Sequence, residues 1–288
     1  MTTSLALVYL SRGVDGGLAS AEAFFEAYRL FPPGCDHDLV IVAKGWEGIS
    51  GFEELKRLAV AHNACLFELP DDGYDWGAYM RLAPILSQHW LCFLNTHSRP
   101  RVNGWLNLLW FRALHNHEIG AAGATASWES HAHVFSFPSS HPHRNTLFWK
   151  SLKFLLNLLP LLANAWYFPM FPNPHLRSNA FVIRRDLFTE FISTRQIPRR
   201  KIDAFVLENG RKGLSVFLAK RGLKTLVIGA DGNSFEAKSW AESGVFRIPG
   251  QKNLLVADNQ TRFYESADAT KRRMLERLAW GRFFTVTS

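Results

Sequence analysis

The stretch Trp90-Leu91-Cys92-Phe93-Leu94-Asn95-Thr96-His97-Ser98-Arg99-Pro100 decides the fold. Five apolar residues are followed at once by four polar ones, and a segment with helical spacing precedes them. Such an apolar run predicts a buried strand of an α/β sheet. Ligands of these sheets bind just beyond the carboxyl ends of the strands. We therefore expect a nucleotide or sugar site at Asn95, His97 and Ser98, and the lack of a carboxylate there disfavours a tightly held divalent cation.

Strand and helix patterns alternate along the first 126 residues, which predicts βαβ units and a largely parallel sheet. The predicted strands are Leu5–Leu10, Asp38–Ala43, Ala64–Leu69, Trp90–Leu94 and Ile119–Ala126. The predicted helices are Ala19–Leu30, Phe52–His62, Tyr74–Leu86 and Gly104–His115. Beyond residue 174 we expect strands at Ala180–Ile183, Leu226–Ile228 and Leu254–Val256, and helices at Asp186–Ser193 and Ser215–Arg221.

The pattern changes between residues 128 and 174, where residues 147–162 are strongly apolar. Pro160 interrupts this run, so it is too short to span a membrane. On a helix, Lys150, Lys153 and Asn157 would share a sector of about 60°, opposite a wide apolar face. Two interpretations remain open: a core or interface helix, or a helix lying in the plane of a membrane through residues 147–168.

Composition limits the class of protein and its compartment. The chain has 288 residues, 47% of them hydrophobic, and a net charge of +8. These values exclude wholesale disorder and favour polyanions, anionic membranes or phosphate-bearing ligands. Three well-separated cysteines, Cys35, Cys65 and Cys92, predict no disulfide framework, and the start of the chain lacks the pattern of a signal peptide. Both features predict a cytoplasmic protein.

The segment Asp71-Asp72-Gly73-Tyr74-Asp75-Trp76-Gly77 opens the helix before the Trp90–Leu94 strand. Acidic residues at a helix start complement the helix dipole, which accounts for Asp71 or Asp72. Asp75 lies further in, so we assign it to ligand binding. Gly77 would permit close approach of the backbone to a bound nucleotide.

Three segments, taken in their order along the chain, resemble bacterial nucleotide-sugar glycosyltransferases of the A-fold, near the family 2 and rhamnan-synthesis types. They are the end of the strand at Tyr9–Gly13 with Arg12, residues 72–77 and residues 93–100. The resemblance implies one Rossmann-like α/β domain with a mixed, mostly parallel sheet and a helical insertion. Those enzymes hold metal and the donor diphosphate with an Asp-x-Asp motif, where this chain has Asn95, Thr96 and His97. No metal ligands are therefore assigned, although a weakly held Mg²⁺ or Mn²⁺ at His97 stays open.

The second half of the chain continues the resemblance. The segment 175–183 resembles the strand that borders the acceptor, and residues 205–213 precede a helix that in related enzymes starts with a functional acid. Glu208 is the predicted catalytic base, with Asp203 as the competing acid. Arg99, Arg177 and Arg211 are unranked candidates for stabilising the diphosphate. The segment 251–261 also resembles these enzymes, without an assigned role.

Other motifs favour simpler explanations. His131, His133, His141 and His143 form two His-x-His pairs, but flanking Pro and Ser residues favour a loop over a zinc site. Basic clusters such as Lys271-Arg272-Arg273 are usually solvated, although they could meet anionic lipid or pyrophosphate. No nucleic-acid-binding pattern is present, so we expect no such partner.

The sequence therefore predicts a glycosyltransferase of bacterial surface polysaccharide or O-antigen synthesis, cytoplasmic and peripheral on the membrane. Residues 1–127 would bind the donor, 128–174 would form the insertion, and 175–288 would form the acceptor side. The expected substrate-binding residues are Arg12, Asp75, Asn95, His97 and Ser98, and the acceptor would be a glycan or a polyprenyl-linked glycan. The alternative is a non-catalytic subunit that binds nucleotide-sugar or glycan in a membrane assembly complex.

Overall fold

The computed structural model describes residues 4–114, 116–133, 164–282 and 284, and a central sheet organises them. Within these residues the sheet has eight strands in the order β11-β10-β6-β9-β4-β1-β2-β3. Its strands are β1 (Leu5–Arg12), β2 (Asp38–Lys44), β3 (Cys65–Leu69), β4 (Trp90–Leu94), β6 (Ile119–Gly123), β9 (Phe181–Arg184), β10 (Lys224–Ile228) and β11 (Ser234–Glu236). The predicted α/β class with a mixed, mostly parallel sheet is confirmed, because only β9 and β11 run antiparallel to their neighbours.

Short strands and helices complete the described structure. Two small ribbons pair β5 (Arg99–Pro100) with β12 (Val256–Ala257) and β7 (Ala126–Ser127) with β8 (His175–Leu176). The helices are α1 (Gly17–Leu30), α2 (Phe52–Ala61), α3 (Tyr74–Leu82), α4 (Trp105–Leu114), α5 (Arg185–Ser193), α6 (Lys201–Asn209), α7 (Leu214–Ala219), α8 (Asn259–Ser266) and α9 (Ala269–Trp280). No helix in the described ranges is long and apolar enough to cross a bilayer.

The continuous apolar runs arise because the sheet is covered on both faces. Along β1, Ala6 and Val8 belong to one hydrophobic cluster, whereas Leu7 and Tyr9 belong to the cluster on the other face. Strand β4 divides its residues in the same way, and all five are buried. A strand with two buried faces shows no alternation in its sequence, so β1, β2 and β4 were recognisable from unbroken apolar runs, whereas the edge strand β3 has no buried residue.

Several predicted boundaries need correction. The 119–126 strand is divided into β6 and β7, and the predicted 254–256 strand is the two-residue β12, displaced toward the carboxyl end. Residues 201–209 form α6, which the sequence pattern had not indicated because its buried positions are few. The predicted apolar helix at 147–162 lies outside the described residues.

Strand β9 determines which segments meet at the ligand edge. It runs antiparallel between β4 and β6, so its amino end lies beside their carboxyl ends. The residues just before β9 therefore join the polar turn after β4. This pairing brings residues 175–180 from the second half of the chain to the edge that the first half alone had predicted.

Candidate functional site

A polar cavity of about 320 Å³ lies where β4 and β6 end and β9 begins. Four of the six predicted site residues line it together, namely Asp75, Asn95, His97 and Glu208. The other described residues around it are mostly polar or charged: Asp15, Thr96, Ser127, Glu129, His131, His175, Arg177, Ser178, Lys201, Phe205, Asn209, Arg247, Asn259 and Gln260. A concave space rich in hydrogen-bonding groups suits a sugar-like or phosphate-bearing ligand.

Helix α6 carries Glu208 into this cavity. Lys201, Phe205, Glu208 and Asn209 all line the cavity, and their spacing places them on one face of the helix. Glu208 was expected near a helix start, but it lies in the last turn of α6. The carboxyl end of a helix does not stabilise a carboxylate, so the helix dipole gives no support to the charge of Glu208.

Burial raises the pKa of Glu208, while Arg177 and hydrogen bonds from Ser178 oppose the rise. The Ser178 hydroxyl donates to Glu208 Oε2 over 2.9 Å. A carboxyl group held in place with a raised pKa is a stronger base than an exposed one. The position of Glu208 and its raised pKa therefore suit the predicted role of a general base.

Asp75 is the second carboxyl group of the cavity, placed by the first turn of α3. Burial raises its pKa to about 6; Lys44 opposes the rise, and Glu208 and Asp15 add to it. The carboxyl lies deep in the protein, although the residue is partly open to solvent. Repulsion from Glu208, which lines the same cavity, disfavours the ionisation of Asp75.

Gly77 has a different role from the predicted one. A Cβ atom there would lie 2.6 Å from the carbonyl oxygen of Asp72. Gly77 therefore accommodates the turn of its own chain that positions Asp75, and does not make room for a nucleotide.

The turn after β4 is fixed by its own hydrogen bonds. Asn95 Oδ1 accepts hydrogen bonds from the His97 backbone N–H (3.1 Å) and from the Ser98 hydroxyl (2.9 Å). From β1, the Tyr9 hydroxyl donates a further hydrogen bond to the Thr96 carbonyl oxygen (3.0 Å). Ser98 is fully buried and does not line the cavity. Ser98 can therefore act on a ligand only by holding Asn95 in place. The side-chain amide nitrogen of Asn95 remains available as a hydrogen-bond donor.

His97 joins this turn to the β1–α1 loop, because its Nε2 lies 3.2 Å from Asp15 Oδ1. Both side chains line the cavity. The contact connects the ends of β1 and β4 across the ligand edge of the sheet.

Arg12 lies outside the cavity. Its guanidinium donates two hydrogen bonds to the Asp71 carboxylate, at 2.7 and 2.9 Å. It lines an adjoining open groove of about 790 Å³, together with Asp72, Tyr74, Arg195 and Arg199. The groove is larger than the cavity, but the cavity holds the carboxyl groups that can do chemistry. A ligand that contacts both Arg12 and Glu208 must extend past the 71–75 turn.

Lys44 holds the 71–75 turn in place from the protein interior. Its side chain is almost fully buried, and its ammonium donates to the carbonyl oxygens of Asp72 and Tyr74, each over 2.7 Å. Burial lowers the pKa of Lys44, and the nearby Asp71 opposes that change. Lys44 thus holds the segment that separates the groove from the cavity, a role that the sequence did not suggest.

Two arginines enter the cavity from the second half of the chain. Arg177 is paired with the buried Asp258 at 2.9 Å, and Arg247 is paired with Glu129 at 2.9 Å. Both guanidinium groups stack on Phe246, at 4.4 and 4.9 Å from the ring centre. Of the three arginines considered for a diphosphate, Arg177 lines the cavity, whereas Arg99 and Arg211 are not among the residues around it. Arg247 was missed because no motif marks it.

The segment 251–261, which had no assigned role, supports this wall. Asp258 accepts a hydrogen bond from the Thr261 N–H (2.8 Å) and so begins α8, while it also pairs with Arg177. Asn259 and Gln260 line the cavity.

Two histidines complete the cavity wall. His131 stacks on Phe205 with ring centres 4.4 Å apart, and its Nδ1 lies 2.8 Å from Asn209 Nδ2. Burial lowers the pKa of His175 to about 4, so His175 is neutral near neutral pH. His131 was noted only as half of a His-x-His pair; the side chain of His133 and both His141 and His143 lie outside the described structure.

The cavity does not resemble a metal centre built from protein ligands. Within the described part of the chain, no group of three or more His, Cys, Asp or Glu side chains is arranged to hold a metal ion. The Asn95 amide oxygen, which would suit Mg²⁺ or Mn²⁺, already accepts two hydrogen bonds. Among the described residues, this edge therefore offers no ready-made set of ligands for a tightly held divalent cation.

Comparison with known proteins finds similarity among solved structures alone. No protein-family model and no curated protein matches the chain. It is similar to a mannosyltransferase from Pyrobaculum calidifontis in complex with GDP-Man and Mn²⁺, at 12% identity and a TM-score of 0.47, over 85% of this chain and 61% of that one.

Two further structures are similar at comparable levels. A glucosyl-3-phosphoglycerate synthase from Mycobacterium tuberculosis, in complex with Mn²⁺, UDP and glucosyl-3-phosphoglycerate, is 14% identical with a TM-score of 0.39, over 71% of this chain and 64% of that one. A 4-diphosphocytidyl-2C-methyl-D-erythritol synthase from Anaerococcus prevotii is 10% identical with a TM-score of 0.43, over 78% and 88%. The chain spans less than two thirds of the length of the two glycosyltransferases. Similarity at this level carries no conclusion about activity.

Proposed function

We propose that this chain is a glycosyltransferase that moves a sugar from a nucleoside-diphosphate donor to an acceptor hydroxyl. The observation that carries the proposal is the pair of carboxyl groups, Glu208 and Asp75, in one polar cavity at the ligand edge of an α/β sheet. Burial and repulsion from Glu208 raise the pKa of Asp75, and burial raises that of Glu208. Perturbed carboxyl groups in a cavity are typical of catalytic sites. The motif order that resembles A-fold glycosyltransferases supports the same activity.

Glu208 is the proposed base of an inverting displacement. Its carboxylate takes the proton of the acceptor hydroxyl while that oxygen forms a bond to the anomeric carbon of the donor sugar. The bond from the anomeric carbon to the diphosphate oxygen breaks, and its electron pair leaves with the nucleoside diphosphate. A positioned base of this kind contributes about 100- to 10,000-fold in rate.

The leaving diphosphate needs stabilisation from cationic groups or N–H donors. Arg177 is the best-placed candidate, because it lines the cavity and packing on Phe246 fixes its guanidinium. We assign Asn95 and His97 to donor contacts at the same edge, with Ser98 holding Asn95. Arg12 is assigned to the part of the donor that extends into the adjoining groove. No step is assigned to a metal ion, because the described residues at this edge do not form a site for one.

The finer assignment concerns the pathway. We propose that residues 1–127 bind the donor, that 175–288 form the acceptor side, and that the acceptor is a glycan or polyprenyl-linked glycan of bacterial surface polysaccharide or O-antigen synthesis. The three well-separated cysteines, which predict no disulfide framework, support a cytoplasmic enzyme. The proposed membrane contact through residues 147–168 lies mainly outside the described residues.

The test begins with a search for the donor. Nucleoside diphosphates and their sugars are screened for a rise in melting temperature, because a ligand that binds only the folded state stabilises it. Transfer and donor hydrolysis are then measured for Glu208→Gln and for the matched control Asp203→Asn. Asp203 lies on the same helix, but it pairs with Arg200 at the surface and does not line the cavity.

We expect Glu208→Gln to bind the donor and to lose about 100- to 10,000-fold in turnover, and Asp203→Asn to retain activity. Full activity in Glu208→Gln would remove Glu208 from the mechanism. Donor binding without turnover for any acceptor in the native chain would instead favour the alternative, a non-catalytic subunit that binds nucleotide-sugar.

A further inference from the structure

An exposed apolar surface, here called the α9 patch, consists of Trp166, Tyr167, Met170, Phe171, Met274 and Leu278. All six side chains are exposed, and Trp166 is exposed to 80%. Large apolar side chains that cluster on the solvent-exposed surface of a protein mark a site of interaction with a partner or a membrane. None of the six lines the cavity or the adjoining groove.

The two parts of the α9 patch are continuous, although about 100 residues separate them along the chain. Helix α9 ends at Gly281, and a Cβ atom there would lie 2.7 Å from the ring of Phe171. Met274 and Leu278 are four residues apart on α9 and therefore form one row along the helix. This row leads directly to the 166–171 segment.

A basic row runs beside the apolar one. Arg273 and Arg277 are exposed and also four residues apart, and neither has an ion pair with any described residue. Near the start of α9, the Lys271 ammonium lies 5.9 Å from the ring centre of Phe263, which is also exposed. Long basic side chains beside an apolar row are the pattern of a helix that lies in a membrane interface. Trp and Tyr are the residues that such interfaces favour.

We propose that the α9 patch binds the surface of an anionic phospholipid bilayer. The apolar row and the aromatic side chains enter the interface, while Arg273 and Arg277 contact the phosphate groups. A second copy of the chain fits the patch less well, because it would bring the unpaired arginines of two copies together. The proposal does not depend on the transfer activity.

Binding here would place the cavity close to the lipid surface. Phe168, within the 166–171 segment, packs against His131 of the cavity wall, with ring centres 5.3 Å apart. The Ser130 hydroxyl, next to His131, donates to the carbonyl oxygen of Pro169. A substrate anchored in the bilayer would therefore find the cavity beside its head group.

The experiment is sedimentation of the full chain with vesicles of phosphatidylcholine alone, or of phosphatidylcholine with phosphatidylglycerol. The variants are Arg273→Gln with Arg277→Gln, and Met274→Ser with Leu278→Ser. The matched controls are Lys56→Gln with Arg57→Gln, which removes the same charge from α2, and Val60→Ser, which removes another exposed apolar side chain. Circular dichroism establishes that each variant is folded.

We expect the native chain to bind the anionic vesicles and to bind phosphatidylcholine much more weakly. Loss of both arginines should lower the partition coefficient by about 30-fold, since each basic residue near an anionic surface contributes about fivefold. The serine pair should also weaken binding, and both controls should bind like the native chain. Absence of binding to anionic vesicles would overturn the proposal, as would equal losses in the α2 control. A patch variant that changes self-association while vesicle binding persists would assign the patch to a second copy instead.

Discussion

Replacing Asp75 by Asn should stabilise the protein at neutral pH. Burial, together with repulsion from Glu208 and Asp15, raises the pKa of Asp75 from 3.8 to about 6. This difference corresponds to about 3 kcal/mol, at about 1.4 kcal/mol for each pKa unit. Water reaches part of the residue and screens its charge, so the expected gain in the free energy of unfolding is about 1–3 kcal/mol.

The sign follows from proton binding. Between about pH 4 and about pH 6 the folded chain holds a proton on Asp75 more tightly than the unfolded chain does. The native free energy of unfolding therefore falls as the pH rises through this interval and stays lower above it. The amide of the Asp75→Asn variant cannot ionise, so the variant lacks this loss, and its advantage should be close to zero near pH 4 and full above about pH 6.5.

Urea unfolding followed by tryptophan fluorescence, at pH steps between about 4 and 7.5, measures the difference. Asp71→Asn provides a control of opposite sign on the same segment. The hydrogen bond from Arg12 lowers the pKa of Asp71, so its ionised form stabilises the folded chain. Loss of that charge should cost stability at neutral pH, and this cost should disappear as the pH falls. An Asp75→Asn variant that is no more stable than the native chain at neutral pH would contradict this expectation, as would an advantage that is the same at all pH values.

Two further predictions concern activity. Ser178→Ala should raise the pKa of Glu208, because the Ser178 hydroxyl stabilises the ionised carboxylate. The acidic limb of the kcat/KM profile against pH should then move up by about 1–2 pH units. Ser178→Thr keeps the hydroxyl and should restore the native profile, whereas an unchanged limb in the alanine variant would separate Ser178 from the base. Turnover should persist in EDTA, because the residues at the ligand edge do not form a metal site within the described structure. Loss of turnover that added Mn²⁺ restores would contradict this expectation and show that transfer requires a divalent cation.

The sequence predicted those parts of the fold that depend on local pattern. The Trp90–Leu94 strand was predicted with its observed limits, because an apolar run that ends in a polar turn marks both a buried strand and the edge of its sheet. The order of strands was not predictable in this way. Strand β9 enters between β4 and β6 through pairing with residues far away in the chain, and its sequence carries no sign of its direction.

The same division holds for the candidate site. Asn95 and His97 were predictable because they follow a strand, and Glu208 was predicted through the family resemblance. Arg247, Gln260 and His131 reach the cavity from loops and short helices whose positions depend on tertiary packing. The salt bridge between Arg177 and Asp258 joins residues 81 positions apart, and neither residue lies in a motif that indicates this contact.

The contrast between two deeply buried carboxyl groups is the strongest argument that Glu208 serves a function. Asp258 is fully buried, yet Arg177 and the Thr261 N–H lower its pKa, so it is ionised and fully used in holding α8 and the cavity wall. Arg177 also lowers the pKa of Glu208, but burial has the larger effect there and the pKa is raised. A carboxyl group with only a structural role would gain stability from the arrangement around Asp258. Glu208 instead lies in the polar cavity that Asp75 also lines, where burial disfavours its charge, and this is the compromise expected where a carboxylate has to take a proton from a ligand.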